Sequence, residues 1–432
     1  MKEPKIVDDL HPEDIAMLQA LQSRSPDSVE ERLEKVREVG SGQFMDKFYV
    51  GYGHKSIGDC GTTTIFLEDV SMLVAKAVQD SPLYNGQEAS TRYMDFSNAE
   101  FFNPVGSEAG EWIQERWREF YLSALEEMEE HIREQYPMQE GEDEKQYTRA
   151  VKARVFDVLR SMLPAGAATN LSWHTNLRQA SDHIEQLINH PDEQVRDVGL
   201  TMLAGLRERY GHSFGRTGQA GQNGWRSRMM LAHHVLMPGE VEKSRVNVTA
   251  NFTSDHIPFG DLDLLRDRPR RVEIPRFMNE YGQIRSEFHL DFGSYRDLQR
   301  HRAGTNRMPL LTMNLGFGSW YLMEMPKSLR VRAVDLVQEQ SKAIEGLKCD
   351  VFTAQNYIAM GFKVPCRVTQ GLPGFVYRLE LRSGKTVHPT LREIVHEEIK
   401  QFGALFPDIK LYVDMDKDSW TVRRGSQTIE EK

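Results

Sequence analysis

The stretch SEFHLDFGSYRDLQRHR, residues 286–302, changes period half-way along. Glu287, Phe288, His289, Leu290 and Asp291 alternate polar and apolar, the pattern of a strand with one buried face. Phe292, Tyr295 and Leu298 then recur at helical spacing. The segment therefore reads as a strand running directly into a helix, and it ends on Arg300, His301 and Arg302, with the small turn Ala303-Gly304-Thr305-Asn306 behind them. Two fixed positive charges two residues apart repel unless an anion sits between them or both point into solvent. Guanidinium forks match phosphate oxygens in bidentate geometry, and a planar imidazole can lie on a flat ring. Taken alone, the triplet also reads as a solvated basic corner.

The same strand-into-helix reading applies to TTTIFLEDVSMLVAKAVQ, residues 62–79. Around it the helices are plain. SPDSVEERLEKVREVG (25–40) has serine and aspartate caps, an acidic first turn and a closing Gly40. Residues 107–135 place Trp112, Trp117, Phe120, Leu122 and Leu125 roughly on one face. Residues 141–164 form a helix stopped at Pro164, and 181–211 form two helical pieces broken near Pro191. In the second half, 328–347 is an amphipathic helix and 375–403 is helical with a loop around Gly384. Each half runs strand, helix, turn, long helix, closing helix, which reads as a diverged internal duplication. The glycines of GHSFGRTGQAGQNGWRSR (211–228) suggest either a phosphate-cradling loop or a flexible connection. No Gly-Lys-Ser/Thr is present, so the connection is the reading adopted. The expected organisation is a first half at 1–215, a Gly-rich connection at 216–235 and a second half at 236–432. The polar stretch 238–275 has no counterpart in the first half.

A chain of 432 residues is long enough for about two domains. Its net charge of −10 disfavours generic nucleic-acid binding, which is normally carried by a basic surface. A single nucleotide held by a few local arginines remains compatible with it. No apolar run approaches the roughly 20 residues of a membrane span, and the polar N-terminus does not read as a secretory signal. Cys60, Cys349 and Cys366 give neither a disulfide framework nor a paired metal motif, so a reducing cytoplasm is expected. His233–His234, His174 and His183 lack metal-ligand spacing, and no metal site is expected.

Other patches stand out less. Glu88, Ser90 and Arg92 alternate by two and would share one face of an extended segment, which suits a polar phosphorylated ligand or an ordinary strand edge. Asn176 and Arg178 follow Trp173, and Arg160 lies just before Leu163–Pro164. Arg382 sits at a break in a helical pattern, with His388 downstream.

Taken together, these patches resemble the flavin-dependent thymidylate synthase family. That family is recognised by Arg-His-Arg, seven residues, then Ser, closely followed by Arg-Tyr, with a leading Gly-His segment, a later Leu-Pro, an Asn-x-Arg twelve residues beyond the proline, and an Arg on the next helix. The first half has Gly53-His54, Glu88-Ala89-Ser90-Thr91-Arg92-Tyr93, Leu163–Pro164, and Asn176-x-Arg178 at the family's spacing. Counting back from Ser90 puts Asp80-Ser81-Pro82 at the Arg-His-Arg position, and the helix arginine falls on Leu187. The second half keeps Arg300-His301-Arg302 and, in ELRSGKTVHPTLREI (380–394), the helix arginine as Arg382. Its serine position is Leu310, and it lacks a clear Asn-x-Arg. Each half keeps what the other has lost.

The resemblance implies an α/β (α+β) fold of two diverged repeats, each a sheet with flanking long helices, and one composite site. Glu88, Ala89, Ser90, Thr91, Arg92, Arg160 and Arg300 would hold deoxyuridine monophosphate or a related uracil nucleotide. Arg300, His301, Arg302, Asn176 and Arg178 would hold flavin adenine dinucleotide (FAD). Arg382 would be catalytic, placing a positive charge beside the developing uracil anion. The implied reaction is reductive methylation at C5, with methylenetetrahydrofolate giving the carbon and NADPH reducing the flavin. No membrane or nucleic-acid partner is implied, and the expected assembly is a homodimer. The alternative is a non-catalytic protein that keeps the fold for nucleotide or flavin binding or for assembly.

Overall fold

A computed structural model describes residues 7, 9–23, 25, 27–89, 94, 96–218, 222–234, 238–241, 246–252, 257–418 and 420. In chain order the elements are α1 (Pro12–Gln22), α2 (Val29–Val39), α3 (Gly42–Phe44), β1 (Thr62–Ser71), α4 (Met72–Gln79), β2 (Asn85–Glu88), α5 (Glu108–Gln135), α6 (Glu144–Leu159), β3 (Ala168–Asn176), α7 (Leu177–Leu187), α8 (Glu193–Arg209), α9 (Asn223–His234), β4 (Asn247–Phe252), α10 (Phe259–Asp267), β5 (Gly282–Asp291), α11 (Phe292–Leu298), β6 (Thr305–Asn306), α12 (Ser319–Met323), α13 (Lys327–Glu345), α14 (Val351–Ala354), β7 (Lys363–Gln370), α15 (Leu372–Arg382) and α16 (Pro389–Leu405). The fold is mixed α/β and mostly helical, with two small antiparallel sheets ordered β1-β3-β2 and β4-β5-β7-β6. Two compact units form, one from Met1–Val70, Ala77–Ala89 and Asn170–Ala232, the other from Ser71–Lys76, Ser90–Thr169 and His233–Lys432.

In the first unit α1 packs on α2 through Met17, Leu18, Leu33 and Val36. Ser28 and Glu31 form a reciprocal capping box at the start of α2, and Gly40 closes that helix at φ 66°. Asn176 and Asp192 cap α7 and α8. Strand β2 pairs with β3 in the register Asn85↔His174 to Glu88↔Leu171.

The second unit holds the larger core. Trp117 of α5 is fully buried, and its indole N–H donates to the Tyr357 carbonyl at 2.9 Å. Phe120 is buried and Leu122 and Leu125 pack partly against the core, but Trp112 is 43 % exposed. The sequence expectation is corrected for Trp112: 28 residues of helix carry the stripe around, and Ile113 takes the inward place. The polar stretch contributes β4, paired to β5 from Asn247↔Glu287 to Phe252↔Gly282, and α10.

One feature of this unit is a two-way ladder between residues 161–166 and 356–361. Ala165 N–H donates to Ile358 O at 2.9 Å and Met360 N–H to Leu163 O at 2.8 Å. Gly166 N–H donates to Asn356 O at 2.9 Å and Gly361 N–H to Ser161 O at 2.8 Å. Each bond has a partner with the two segments exchanged. The flanks repeat as well: Met72 and Leu73 bond Ala167 and Ala165, while Phe292 and Gly293 bond Phe362 and Met360. A side chain on Gly166 would collide with the Asn356 carbonyl, so the close approach requires glycine there. The element lengths also recur. Strands β1 and β5 have 10 residues each, α7 and α15 have 11 each, and α8 and α16 have 17 each.

Candidate functional site

Strand β5 delivers the chain to α11, which Asp291 caps by accepting from Ser294 N–H at 2.8 Å. The helix ends after seven residues, and Arg300, His301 and Arg302 follow at its exit. Strand β7 leads into α15 through Gly371, and Arg382 is the last residue of α15. Cations are favoured at a helix C-terminus, where carbonyls point outward. Gly374 lets the two segments close: a Cβ there would lie 2.7 Å from the Ala303 carbonyl. Gln370 ties the same loop down by donating to Ala303 O at 3.0 Å.

These segments enclose a pocket of about 290 Å³ lined by Arg300, His301, Arg302, Gln370, Tyr377 and Arg382, among others. The Arg382 Nε–H donates to His301 Nε2 at 2.7 Å. An arginine cannot accept, so His301 Nε2 is the acceptor and the neutral ring carries its proton on Nδ1. Burial first, and then the charges of Arg382 and Arg378, push the His301 pKa down to about 2. Burial likewise lowers the pKa of Arg382. Asp297 organises the arginines. Its backbone carbonyl accepts from Arg382 Nη2 at 2.8 Å, and its carboxylate lies 3.7 Å from Arg382 Nη1 and 3.9 Å from Arg300 Nε. Burial would raise the Asp297 carboxyl, but Arg382, Arg300, Arg160 and Arg296 outweigh it and hold its pKa below the ordinary value. Behind the pocket Arg378 and Glu398 form a fully buried bidentate pair at 2.7 and 2.9 Å, and Arg378 Nε also donates to Gln370 at 3.0 Å. Three guanidiniums around a neutral imidazole, set against one carboxylate, make an anion-accepting pocket on a chain of net charge −10.

The other sequence-derived residues lie elsewhere. Arg160 is buried in a polar network where its Nη2 donates to Ser294 Oγ at 3.2 Å, and it does not line the pocket. Burial opposes its charge, yet Tyr321, Asp157, Asp291 and Asp297 together raise its pKa. His388 belongs to this network, contacting Ser294, Thr390 and the Asp157 carbonyl. In the first unit, Asn176 accepts from Gln179 N–H at 2.8 Å as the cap of α7. Arg178 pairs with Asp59 at 2.6 Å and approaches Asp182 at 3.6 Å. Glu88 accepts from Gln79 at 3.1 Å, and Ala89 N–H donates to Asn170 O at 2.8 Å. Ser90, Thr91 and Arg92 lie outside the described residues. Counting forward from the repeated bonds at Met72 and Phe292, Asp80, Ser81 and Pro82 correspond to residues 300–302. Counting from α7 and α15, Leu187 corresponds to Arg382.

Sequence reading missed Asp297, Gln370 and Tyr377. Asp297 had a signal, since it stands three residues before Arg300 at the end of a helix. Gln370 and Tyr377 had none, because only the β7–α15 geometry brings them to residues 300–303.

Residues 5–210 of the chain match the family described as thymidylate synthase complementing protein. The likeness to that family is confined to those residues, a little under half of the chain. It is 23 % identical over 441 residues to a UPF0159 protein of Chlamydia muridarum, a match covering 86 % of this chain and 81 % of that one. It is also 23 % identical over 447 residues to UPF0159 protein Ta1429 of Thermoplasma acidophilum, covering 87 % of this chain and 89 % of the other. Among the described residues no helix is long and apolar enough to cross a membrane.

Proposed function

We propose that this protein is an FAD-dependent enzyme that methylates a uracil deoxynucleotide at C5. In the balanced reaction the nucleotide loses its C5 proton, methylenetetrahydrofolate gives a one-carbon unit, and NADPH supplies the reducing equivalents. With one proton taken up overall alongside NADPH, the products are the 5-methyl nucleotide, tetrahydrofolate and NADP⁺. The observation that carries this reading is the pocket where Arg300, Arg302 and Arg382 converge on a neutral His301.

The donor set fits an anionic flavin dinucleotide beside a pyrimidine nucleotide. Fixed guanidiniums suit the phosphates, and the imidazole and the Tyr377 ring, 6.0 Å apart, offer flat surfaces. His301 and Arg302 are assigned to the flavin, and Arg300 to both ligands. Arg382 is assigned to the uracil ring, where its charge favours loss of the N3 proton. When bound, the flavin supplies the hydride chemistry. Glu88, Ala89, Ser90, Thr91, Arg92 and Arg160 on the nucleotide, and Asn176 and Arg178 on the cofactor, are assigned on the sequence motif alone. The repeated element lengths and the two-way ladder support a fused pair of diverged copies. The proposed setting is the cytoplasm and the proposed assembly a homodimer.

The test is the visible spectrum of purified protein after addition of FAD and removal of excess, followed by release of the C5 proton from deoxyuridine monophosphate. Retained flavin bands that vanish in Arg302→Ala, together with proton release that needs methylenetetrahydrofolate, are expected. A protein that binds nucleotide but retains no flavin would instead be a non-catalytic binder.

A further inference from the structure

A second cavity, of about 370 Å³, adjoins the basic pocket and shares Tyr377 and Leu381 with it. One wall is apolar, from Val272, Ile274, Pro373 and Val376, and Arg270 and Arg271 also line it. The polar stretch that has no counterpart in the first half supplies Arg268 and residues 270–274 of this lining.

The arginines here are not equivalent. Arg268 is buried, paired with Glu380, donates to Val272 O at 2.6 Å and sits over the Tyr412 ring at 5.2 Å. It pins the segment in place and its charge is matched. Arg270 and Arg271 are exposed, and among the described residues no carboxylate pairs with either. With Arg268 and Glu380 paired to each other, Glu273 is the remaining charged residue of the lining, which is net positive. Arg271 holds φ 68°, a left-handed backbone that a residue with a bulky side chain rarely adopts unless its surroundings enforce it. The Arg268 bond to Val272 O and the turn bond from Val272 N–H to Pro269 O at 3.3 Å are the enforcing contacts.

We propose that this cavity is the binding site for a co-substrate with a flat ring and an anionic end. The ring lies against the apolar wall, and a carboxylate or phosphate meets Arg270 and Arg271. The assignment rests on the proposed reaction, which needs two molecules of this chemistry beyond those given to the basic pocket: a reduced folate, with carboxylates, and NADPH, with phosphates. Shared Tyr377 and Leu381 put this ligand beside the proposed flavin.

The experiment uses the full chain and three probes, 5-formyltetrahydrofolate, NADPH, and NADH as the analogue without the 2′-phosphate, measured by equilibrium binding. Variants are Arg270→Ala/Arg271→Ala and Val272→Trp. All three positions are exposed, so folding should survive and is checked by circular dichroism. The expected result is that the folate or NADPH binds the wild type, that the double variant weakens it about tenfold or more, as loss of charge-assisted hydrogen bonds does, and that the tryptophan blocks it. Weaker NADH than NADPH binding would identify the phosphate as the anion. Binding of every probe unchanged in both variants, or no binding of any probe by the wild type, would overturn the site. Flavin retention by the wild type and its loss in Arg302→Ala is read on the same preparations, so failure here is distinguishable from failure of the proposed function.

Discussion

At the scale of single residues, the pocket depends on a histidine that stays neutral. His301 has an ordinary value of 6.5 and is pushed down to about 2 by burial and by Arg382 and Arg378. As pH falls below 6.5 the unfolded chain takes up a proton that the folded chain refuses. Stability is therefore full above 6.5 and declines as pH drops towards 2, by about 1.4 kcal/mol per pH unit for one such group. His301→Gln removes the group, so urea unfolding of this variant between pH 6.5 and 5 should show a shallower loss than the wild type. Parallel slopes would mean that His301 is protonated in the folded protein and that its bond from Arg382 is not kept. Asp297 acts in the same direction but lower: its depressed pKa contributes stability above the ordinary carboxylate value of 3.8, lost as pH falls below it. The pieces of this site that the sequence revealed were fixed charges with a family spacing, Arg300, Arg302 and Arg382. The neutrality of His301 was not legible, because it comes from residues 77 and 81 positions away packing on the ring.

At the scale of elements, α15 and α16 are locked by the Arg378–Glu398 pair, both members fully buried. Breaking such a pair from one side leaves an uncompensated charge in the interior. Glu398→Ala should cost about 3–5 kcal/mol of unfolding free energy. Arg378→Met/Glu398→Leu removes both charges at similar volume and should recover most of that loss by chemical denaturation. A double variant as unstable as the single one would argue against the ion-pair account. The strand-into-helix reading gave β1–α4 and β5–α11 because the period switches from two to helical within one apolar segment. The break near Pro191 and the loop around Gly384 were equally legible, and they fall between α7 and α8 and between α15 and α16. Strand β6 was not, since two residues show no period. Strand β4 and α10 were hidden inside a polar stretch, where β4 owes its place to pairing with β5 rather than to its own hydrophobicity. The resemblance assigns Arg160, just before Leu163–Pro164, to the nucleotide, but its surroundings were not legible in the sequence. The structure puts it beside Ser294 in the second unit, a contact between residues 134 positions apart.

At the scale of the whole molecule, three pairs of elements, β1 and β5, α7 and α15, and α8 and α16, have equal lengths, but the charges at the matching counts differ. Where the second half has Arg300, His301 and Arg302 at a helix exit and Arg382 at the end of α15, the first half has Asp80, Ser81, Pro82 and Leu187. An aspartate and a buried leucine cannot take the place of guanidiniums on phosphate or pyrophosphate oxygens, and a proline removes a backbone donor. Under the proposed duplication, one anion-accepting pocket per chain is expected. Titration of FAD into the full chain, followed by the change in flavin absorbance against protein concentration, should reach an endpoint at one flavin per chain. Arg302→Ala should abolish that single site, while Asp80→Asn, at the corresponding position of the first half, should leave both the endpoint and the affinity unchanged. Two flavins per chain would require a second cofactor site built without the arginine triplet, and would end the reading in which only one copy of the site has been kept.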